Sequence, residues 1–476
     1  MNSEKTISER VSELLHKAFR FSPTKGQEQF IAKFSQFAGK PAEGIFILRG
    51  YAGTGKTTLM SAITSSFQNV ILLAPTGRAA KVLSSYTSRP AYTIHKHLYR
   101  PAQASDGRMF LRLADNHFKR TLFIVDEASM IPDAAIEDAA SPFPGVNLLT
   151  DLINYIYSGE ECRLLLVGDT AQLPPVHFND SPALDANHLR LSFRREVTET
   201  ELTEVVRQEQ ESGILKNATA LRILLSRDAK KPILKSEGFP DVHRINAAEM
   251  AELLHPVYSK YGNDNVLVIT RSNKSAILYN RLIRFQQLWM EEELAAGDHL
   301  MVVKNNYYWL PNDHKAGFIA NGDIVVISKI VRFEDRFGFR FAKALVHLID
   351  YPDEPDFEVN LLMDTLSAET PALPSKESDR LYQTIHDSYI PDEPEKKRRN
   401  ALLRKDPYYN ALQVKFAYAV TCHKAQGGQW PVVFVDQGYM TEEMNGAEHL
   451  RWLYTAFTRA SKELYLINFD EGLFKN

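Results

Sequence analysis

The stretch "GIFILRGYAGTGKTTLM" (44–60) sets an apolar run against a glycine-rich loop that ends in Lys-Thr. Its centre, "GYAGTGKT" (50–57), fits G-x-x-x-x-G-K-[ST] directly after a predicted strand and before a predicted helix, the context that motif needs. Gly50, Gly53 and Gly55 let backbone N–H groups approach phosphate oxygens, and with Thr54, Lys56, Thr57 and Thr58 they form a candidate nucleotide cradle. Lys56 has the reach for β/γ oxygens, and Thr57 offers a hydroxyl to Mg²⁺. A plain glycine-rich turn is the weaker alternative here.

Working outward, "LFIVDEAS" (122–129) ends a second apolar run in two carboxylates. Alone, Asp126 and Glu127 are equally well read as surface acids. Paired with the upstream loop in this order they become the Walker B element of an ATPase. Asp126 is then a metal ligand with Thr57, and Glu127 orients or deprotonates the attacking water.

Short apolar runs recur along the chain: "VILLA" (70–74), "RLLLV" (163–167), "VLVIT" (266–270), "VVFVD" (432–436) and "LYLIN" (464–468). Runs of this length suit strands buried on both faces of parallel sheets. Two α/β units follow, split near residue 200. Between "VLVIT" and "VVFVD" lies a segment of different texture, 298–410, with strand-like alternation in "GDHLMVV" and "GFRFAKALVHLI". It continues into "ETPALPSKES" and "PDEPEKKRRN", polar and proline-bearing, which read as an exposed arm. At the start of the chain, Thr6 and Glu9 fit a capping box for an amphipathic helix.

At 476 residues the chain exceeds what one core organises. Its 44% hydrophobic and 24% charged residues are those of a globular protein. A net charge of −3 excludes a global basic field, so any nucleic-acid surface must be a local groove. Cys162 and Cys422 match no metal-ligand spacing and point to a reducing compartment. No run of ~18 apolar residues occurs, and a cytoplasmic location without a membrane partner is the expectation.

The remaining motifs decide what an ATPase here would do: "APTGRAA" (74–80), "TIHKHLY" (93–99), "LVGDTAQLPPV" (166–176), "LTEVVRQ" (202–208), "AYAVTCHKAQGGQW" (417–430) and "LYTAFTRA" (453–460). Each has a bland reading: Thr76 as a helix cap, His95 as a core histidine, Arg207 or Arg459 as a solvated charge. Together, in this order, the chain resembles the superfamily 1 DNA helicases, most closely the Dda- and RecD-type branch, superfamily 1B. The resemblance spans about residues 23–460.

It implies an α/β fold of two RecA-like P-loop NTPase domains with small insertions, a short hairpin in the first and an SH3-like β module in the second. The first motor domain would occupy 1–200, with its hairpin at about 99–120; the second, 201–297 and 411–476; the inserted module, 298–410. ATP and Mg²⁺ would bind between the motors, and single-stranded DNA would cross their tops. By the same resemblance Gln27 reads adenine, Gln172 links the γ-phosphate region to the DNA face, and Arg207 and Arg459 reach the γ-phosphate. Pro75, Thr76, Thr93, His95, Thr421 and His423 would line the DNA track. The family often has Ser-Glu after "HKAQG"; here Gly428 and Gln429 stand instead.

A monomeric motor moving 5′→3′ and unwinding duplex or forked DNA is the implied activity. A P-loop switch or loader that never steps, and a motor subunit of a nuclease complex, remain alternatives. In "RPAQASDGRMFLRLADNHFKR" (100–120), Asp106-Gly107 is a tight-turn signal and the residues after it alternate. That alternation sets Phe110 outward between Arg108 and Arg112, a candidate wedge that contacts DNA, with packing under a loop as the even alternative.

Overall fold

The apolar runs of the first half become strands of one sheet. In chain order these are β1 (Ile45–Gly50), β2 (Val70–Ala74), β3 (Ala91–Thr93), β6 (Leu122–Val125), β7 (Arg163–Gly168) and β8 (Val197–Leu202), aligned 3-2-6-7-1-8 and parallel throughout. The chain is seen in a computed structural model that describes residues 6–19, 22–41, 43–103, 109–134, 147–205, 212–227, 231–311, 314–393, 395–441 and 446–474.

Helices cover both faces of this sheet, as a parallel sheet requires. On one face Phe30, Phe34, Phe46, Leu59 and Ile63 share a core with Leu15 of the first helix. That helix, Ile7–Ala18, starts at the Thr6–Glu9 capping box. Leu152, Ile153 and Ile156 pack on the other face. Strand β8, "VTETEL", has no apolar run to mark it. It survives as an edge strand because only Val197, Thr200 and Leu202 are buried.

Two further strands, β4 (Tyr99–Gln103) and β5 (Met109–Leu113), pair antiparallel as the expected hairpin, with Ala102 opposite Phe110. The Asp106-Gly107 turn lies outside the described residues, as does the side chain of Phe110.

The second half holds another parallel sheet, β9 (Val242–Ile245), β10 (Val266–Thr270), β16 (Ala419–Thr421), β17 (Trp430–Asp436) and β18 (Ala460–Ile467), ordered 16-10-17-18-9. Between its strands is a closed five-stranded barrel: β11 (His299–Val302), β12 (Ile324–Arg336), β13 (Phe339–Leu348), β14 (Phe357–Leu362) and β15 (Leu412–Phe416). Alternate residues, including Leu300, Val325, Ile327, Ala344, Val359 and Val414, fill its interior. Strand β15 lies past residue 410, so the inserted module runs further than the sequence boundary placed it. The polar segment before β15 is also not a loose arm. It forms helices Ser375–Ser388 and Lys396–Leu403, whose Leu381, Ile385 and Leu403 pack on Phe339 and Phe341 of the barrel.

Candidate active site

In a parallel sheet the carboxyl ends of all strands lie along one edge, and the loops that leave them form one crevice. At that edge β1 delivers the glycine loop, β2 delivers Pro75-Thr76, β6 delivers Asp126-Glu127, and β7 delivers Asp169. The glycine loop needs left-handed backbone at Gly53 (φ 74°) and Gly55 (φ 84°). At Gly50 the constraint is space: a Cβ would lie 3.0 Å from both Lys56 Cγ and Thr54 Oγ1. Lys56 folds back over the loop, its Nζ donating to the carbonyls of Gly50 (2.6 Å) and Tyr51 (3.0 Å). Thr57 and Thr58 are exposed on the first helical turn.

Gln27 lies buried beside the loop. Its Oε1 accepts from Thr24 N–H at 2.9 Å in a capping box, and its Nε2 faces Thr54 O at 3.5 Å.

Across the cleft Asp126 accepts from the Tyr86 hydroxyl (2.7 Å) and from Glu127 N–H (2.9 Å). Glu127 itself takes a left-handed conformation, φ 51°, which costs a non-glycine residue about 1–2 kcal/mol. Burial raises the pKa of Asp126, Glu127 and Asp169, while Lys56 opposes the rise in each. The cleft thus gathers three carboxylates around Lys56, with Arg459 as a second cation beside Glu127, so it is still short of positive charge. That deficit fits a divalent cation held by Asp126 and the Thr57 hydroxyl, since Mg²⁺ commonly uses one or two protein groups plus substrate phosphates.

The second half of the chain completes the crevice. Helix Ala447–Phe457 sends the Tyr454 hydroxyl to donate to Asp169 Oδ2 (2.6 Å), and the Tyr454 hydroxyl oxygen accepts from Ala52 N–H of the glycine loop (2.8 Å). Thr455 Oγ1 accepts from Leu173 N–H (2.9 Å), and Gln426 Nε2 donates to Leu173 O (2.7 Å). Arg451 reaches Thr170 O at 2.6 Å and Asp180 at 3.0 Å.

Arg459, only 3% exposed, stands 4.0 Å from Glu127. Gly428 O (3.1 Å) and Thr455 O (3.0 Å) hold its guanidinium. Gln172 is buried next to Glu127 and slightly opposes the rise that burial imposes on it, while its own Oε1 has no partner. Arg207 lies outside the described residues. Reading the sequence missed Tyr454 and Asp169, although both lie inside quoted motifs. Tyr86 carried no signal at all, because only packing of helix Gly77–Thr87 brings it to Asp126.

The residues assigned to a DNA track occupy one edge of both halves. Thr76 caps helix Gly77–Thr87 through Ala79 N–H, and Thr93 caps Ile94–Leu98 through Lys96 N–H. His95 lies against Tyr99, and burial lowers its pKa to about 4, so it stays neutral. Thr421 begins the short helix Cys422–Ala425 without a capping bond from its side chain, and His423 is exposed there.

The two halves touch at this edge. A Cβ on Gly427 would lie 2.9 Å from Ala79 Cβ, and one on Gly428 would lie 2.4 Å from the Trp430 ring. Arg78 stacks on that ring at 3.8 Å. At 428 the departure from Ser therefore has a steric cause, since the Arg78–Trp430 stack fills the space a side chain would need; Gln429 is exposed and the structure gives no reason for its difference from Glu.

An AAA domain profile matches residues 24–229, and a UvrD-like helicase C-terminal domain profile matches 416–467. An uncharacterised protein of Acanthamoeba polyphaga mimivirus is 24% identical over 501 aligned positions, 91% of this chain and 97% of that one. The ATP-dependent RecD2 DNA helicase of Deinococcus radiodurans is 32% identical over 201 positions, which are 41% of this chain and only 23% of that protein. A solved structure of two coordinating Pif1 helicases at forked dsDNA covers 96% of this chain and 95% of its own, at 15% identity and a TM-score of 0.48.

Proposed function

We propose that the chain, which resembles the superfamily 1B helicases of the Dda/RecD type, is an ATP-driven DNA motor that moves 5′→3′ on single strands and unwinds duplex ahead of it. The observation that carries this reading is the shared nucleotide cleft. Arg459 of the second half stands 4.0 Å from Glu127 of the first, and Tyr454 reaches the glycine loop. A switch with one nucleotide domain needs no such second half.

ATP binds across this cleft, so its arrival and hydrolysis alter how the halves close. In the proposed assignment Gln27 reads adenine, Lys56 meets the β/γ oxygens, Glu127 orients or deprotonates water, and Gln172 links the γ-phosphate region to the DNA face. Arg459, with Arg207, meets charge that develops on the γ-phosphate, a role worth about 10³–10⁵ in rate elsewhere. Mg²⁺ held by Thr57 and Asp126 supplies charge neutralisation. Pro75, Thr76, Thr93, His95, Thr421 and His423 grip the strand, the first four on one motor and the last two on the other. Alternating grip then yields stepping by a cytoplasmic monomer.

Strand displacement on duplexes with a 5′ or a 3′ tail, with and without ATP, tests the proposal. Unwinding of 5′-tailed substrates only, and only with ATP, is expected. Unwinding confined to 3′ tails overturns the polarity. Hydrolysis without strand separation selects the loader instead.

A further inference from the structure

The Asp126 carboxylate is held at both oxygens. Its Oδ2 accepts from the Tyr86 hydroxyl at 2.7 Å, and its Oδ1 from Glu127 N–H at 2.9 Å. An ionised carboxylate has about four acceptor sites, so these two donors fix its rotation and leave the other sites for a cation. Burial, with Asp126 and Glu127 close by, raises the Tyr86 pKa, so the hydroxyl keeps its proton and donates it. The ring packs on the core that holds Leu59, Met60 and Ile63, and its hydroxyl lies 3.7 Å from Met60 Sδ.

Tyr86 stands in the last turn of helix Gly77–Thr87, whose first turn follows Thr76 on the edge proposed to grip the strand. That first turn meets the rest of the molecule on two sides. Arg78 stacks on Trp430 at 3.8 Å, and Ala79 lies against Gly427, both in the second motor half. Gly77 abuts Asp323, and Lys81 pairs with Asp350 at 3.2 Å, both in loops of the barrel. From Arg78 to Tyr86 the helix holds no glycine or proline to bend it. Its 11 residues form a rod of about 16 Å. An O–H···O bond spans only about 2.5–3.0 Å. A shift of roughly half an ångström at the start of the rod therefore reaches Asp126 as a changed hydrogen bond.

We propose that Tyr86 is a positioning residue that acts through Asp126: helix Gly77–Thr87 carries the occupancy of the strand edge to it, so that bound single-stranded DNA aims the carboxylate at the divalent cation. The inference rests on the DNA-motor reading above. It adds a route between strand and nucleotide beside the one proposed for Gln172.

The test measures Mn²⁺ affinity by EPR, with the protein saturated by a non-hydrolysable ATP analogue, in the presence and absence of oligo-dT. No turnover is involved, and the wild-type arm needs no variant that could misfold. By linkage, a strand that aims Asp126 tightens Mn²⁺ binding, and about fivefold or more is expected. Tyr86→Phe keeps the ring and removes the hydroxyl. In that variant the DNA dependence of Mn²⁺ affinity should disappear, while oligo-dT still binds without metal. Its turnover with saturating DNA and ATP should fall roughly tenfold with the KM for ATP little changed. A wild type whose Mn²⁺ affinity ignores DNA overturns the coupling, as does a Tyr86→Phe variant that keeps the wild-type response. Joint loss of Mn²⁺, nucleotide and oligo-dT binding in the variant marks Tyr86 as a packing residue and also overturns it. A wild type that binds no single-stranded DNA at all overturns the motor reading, and this inference with it.

Discussion

Asp323 shows how one buried acid adjusts the contact between barrel and motor. It is 8% exposed and lies against Gly77, where a Cβ would sit 2.8 Å from Asp323 Oδ1. Its Oδ2 accepts from Ala320 N–H at 2.7 Å. Burial pushes its pKa up to about 7, Asp350 adds to the rise, and Lys96 opposes it. Because the folded-state value lies above the unfolded one, the native form holds the proton more tightly. Stability therefore falls as pH rises from about 4 to about 7. Asp323→Asn keeps an acceptor for Ala320 and removes the charge. It should raise the thermal unfolding midpoint at pH 8, by an effect on the order of 2–4 kcal/mol, and change little near pH 4. An equal midpoint shift at both pH values would contradict the assignment. At the nucleotide cleft, Lys56→Ala removes the one lysine that, among the described residues, opposes the rise in all three carboxylates. Hydrolysis should be lost while single-strand binding is largely kept, which parallel ATPase and anisotropy assays would check.

Elements matter where two of them approach without room for a side chain. Gly428 lies under the Arg78–Trp430 stack, and its carbonyl holds Arg459 at 3.1 Å. One short loop thus joins the edge proposed to grip the strand to the arginine of the nucleotide cleft. Gly428→Ala should dislodge the stack and tilt Arg459. We expect turnover with saturating single-stranded DNA to fall roughly tenfold, about 1.4 kcal/mol, with a smaller change in the KM for ATP. A changed KM at constant turnover would mean that the loop only helps nucleotide binding. We propose a mechanical role for the β4–β5 hairpin as well. With Phe110 as wedge, Phe110→Ala should slow unwinding and spare DNA-stimulated hydrolysis. If both activities fall together, Phe110 is not the wedge.

At the scale of the whole molecule, polar contacts cross between the halves beside a small apolar one, where Ala171 and Leu173 join the second half's core. Tyr454, Thr455, Gln426 and Arg451 all reach backbone or carboxylate groups of the first half. Contacts of this kind can be remade as the cleft opens, whereas a large apolar interface would lock it. DNA gripped by both halves should favour the closed arrangement that brings Arg459 to Glu127. Hydrolysis should therefore rise strongly with single-stranded DNA, and the stimulation should weaken with added salt as counterion release is suppressed. Equal hydrolysis with and without DNA would favour the switch.

The sequence by itself determined the two parallel sheets, the glycine loop, the Asp126-Glu127 pair and the hairpin. Each is written locally, in an apolar run, a motif at fixed spacing or an alternation. The Thr6–Glu9 cap was legible for the same reason. Strand β8 and the helices Ser375–Ser388 and Lys396–Leu403 were not, since their few buried residues acquire meaning only from the surface they pack on. Only the tertiary structure decided that Tyr86 meets Asp126 and that Tyr454 bridges Asp169 to Ala52. Those pairs are up to 402 residues apart in the chain. No local pattern encodes such a distance; it is set by how two sheets and a barrel dock.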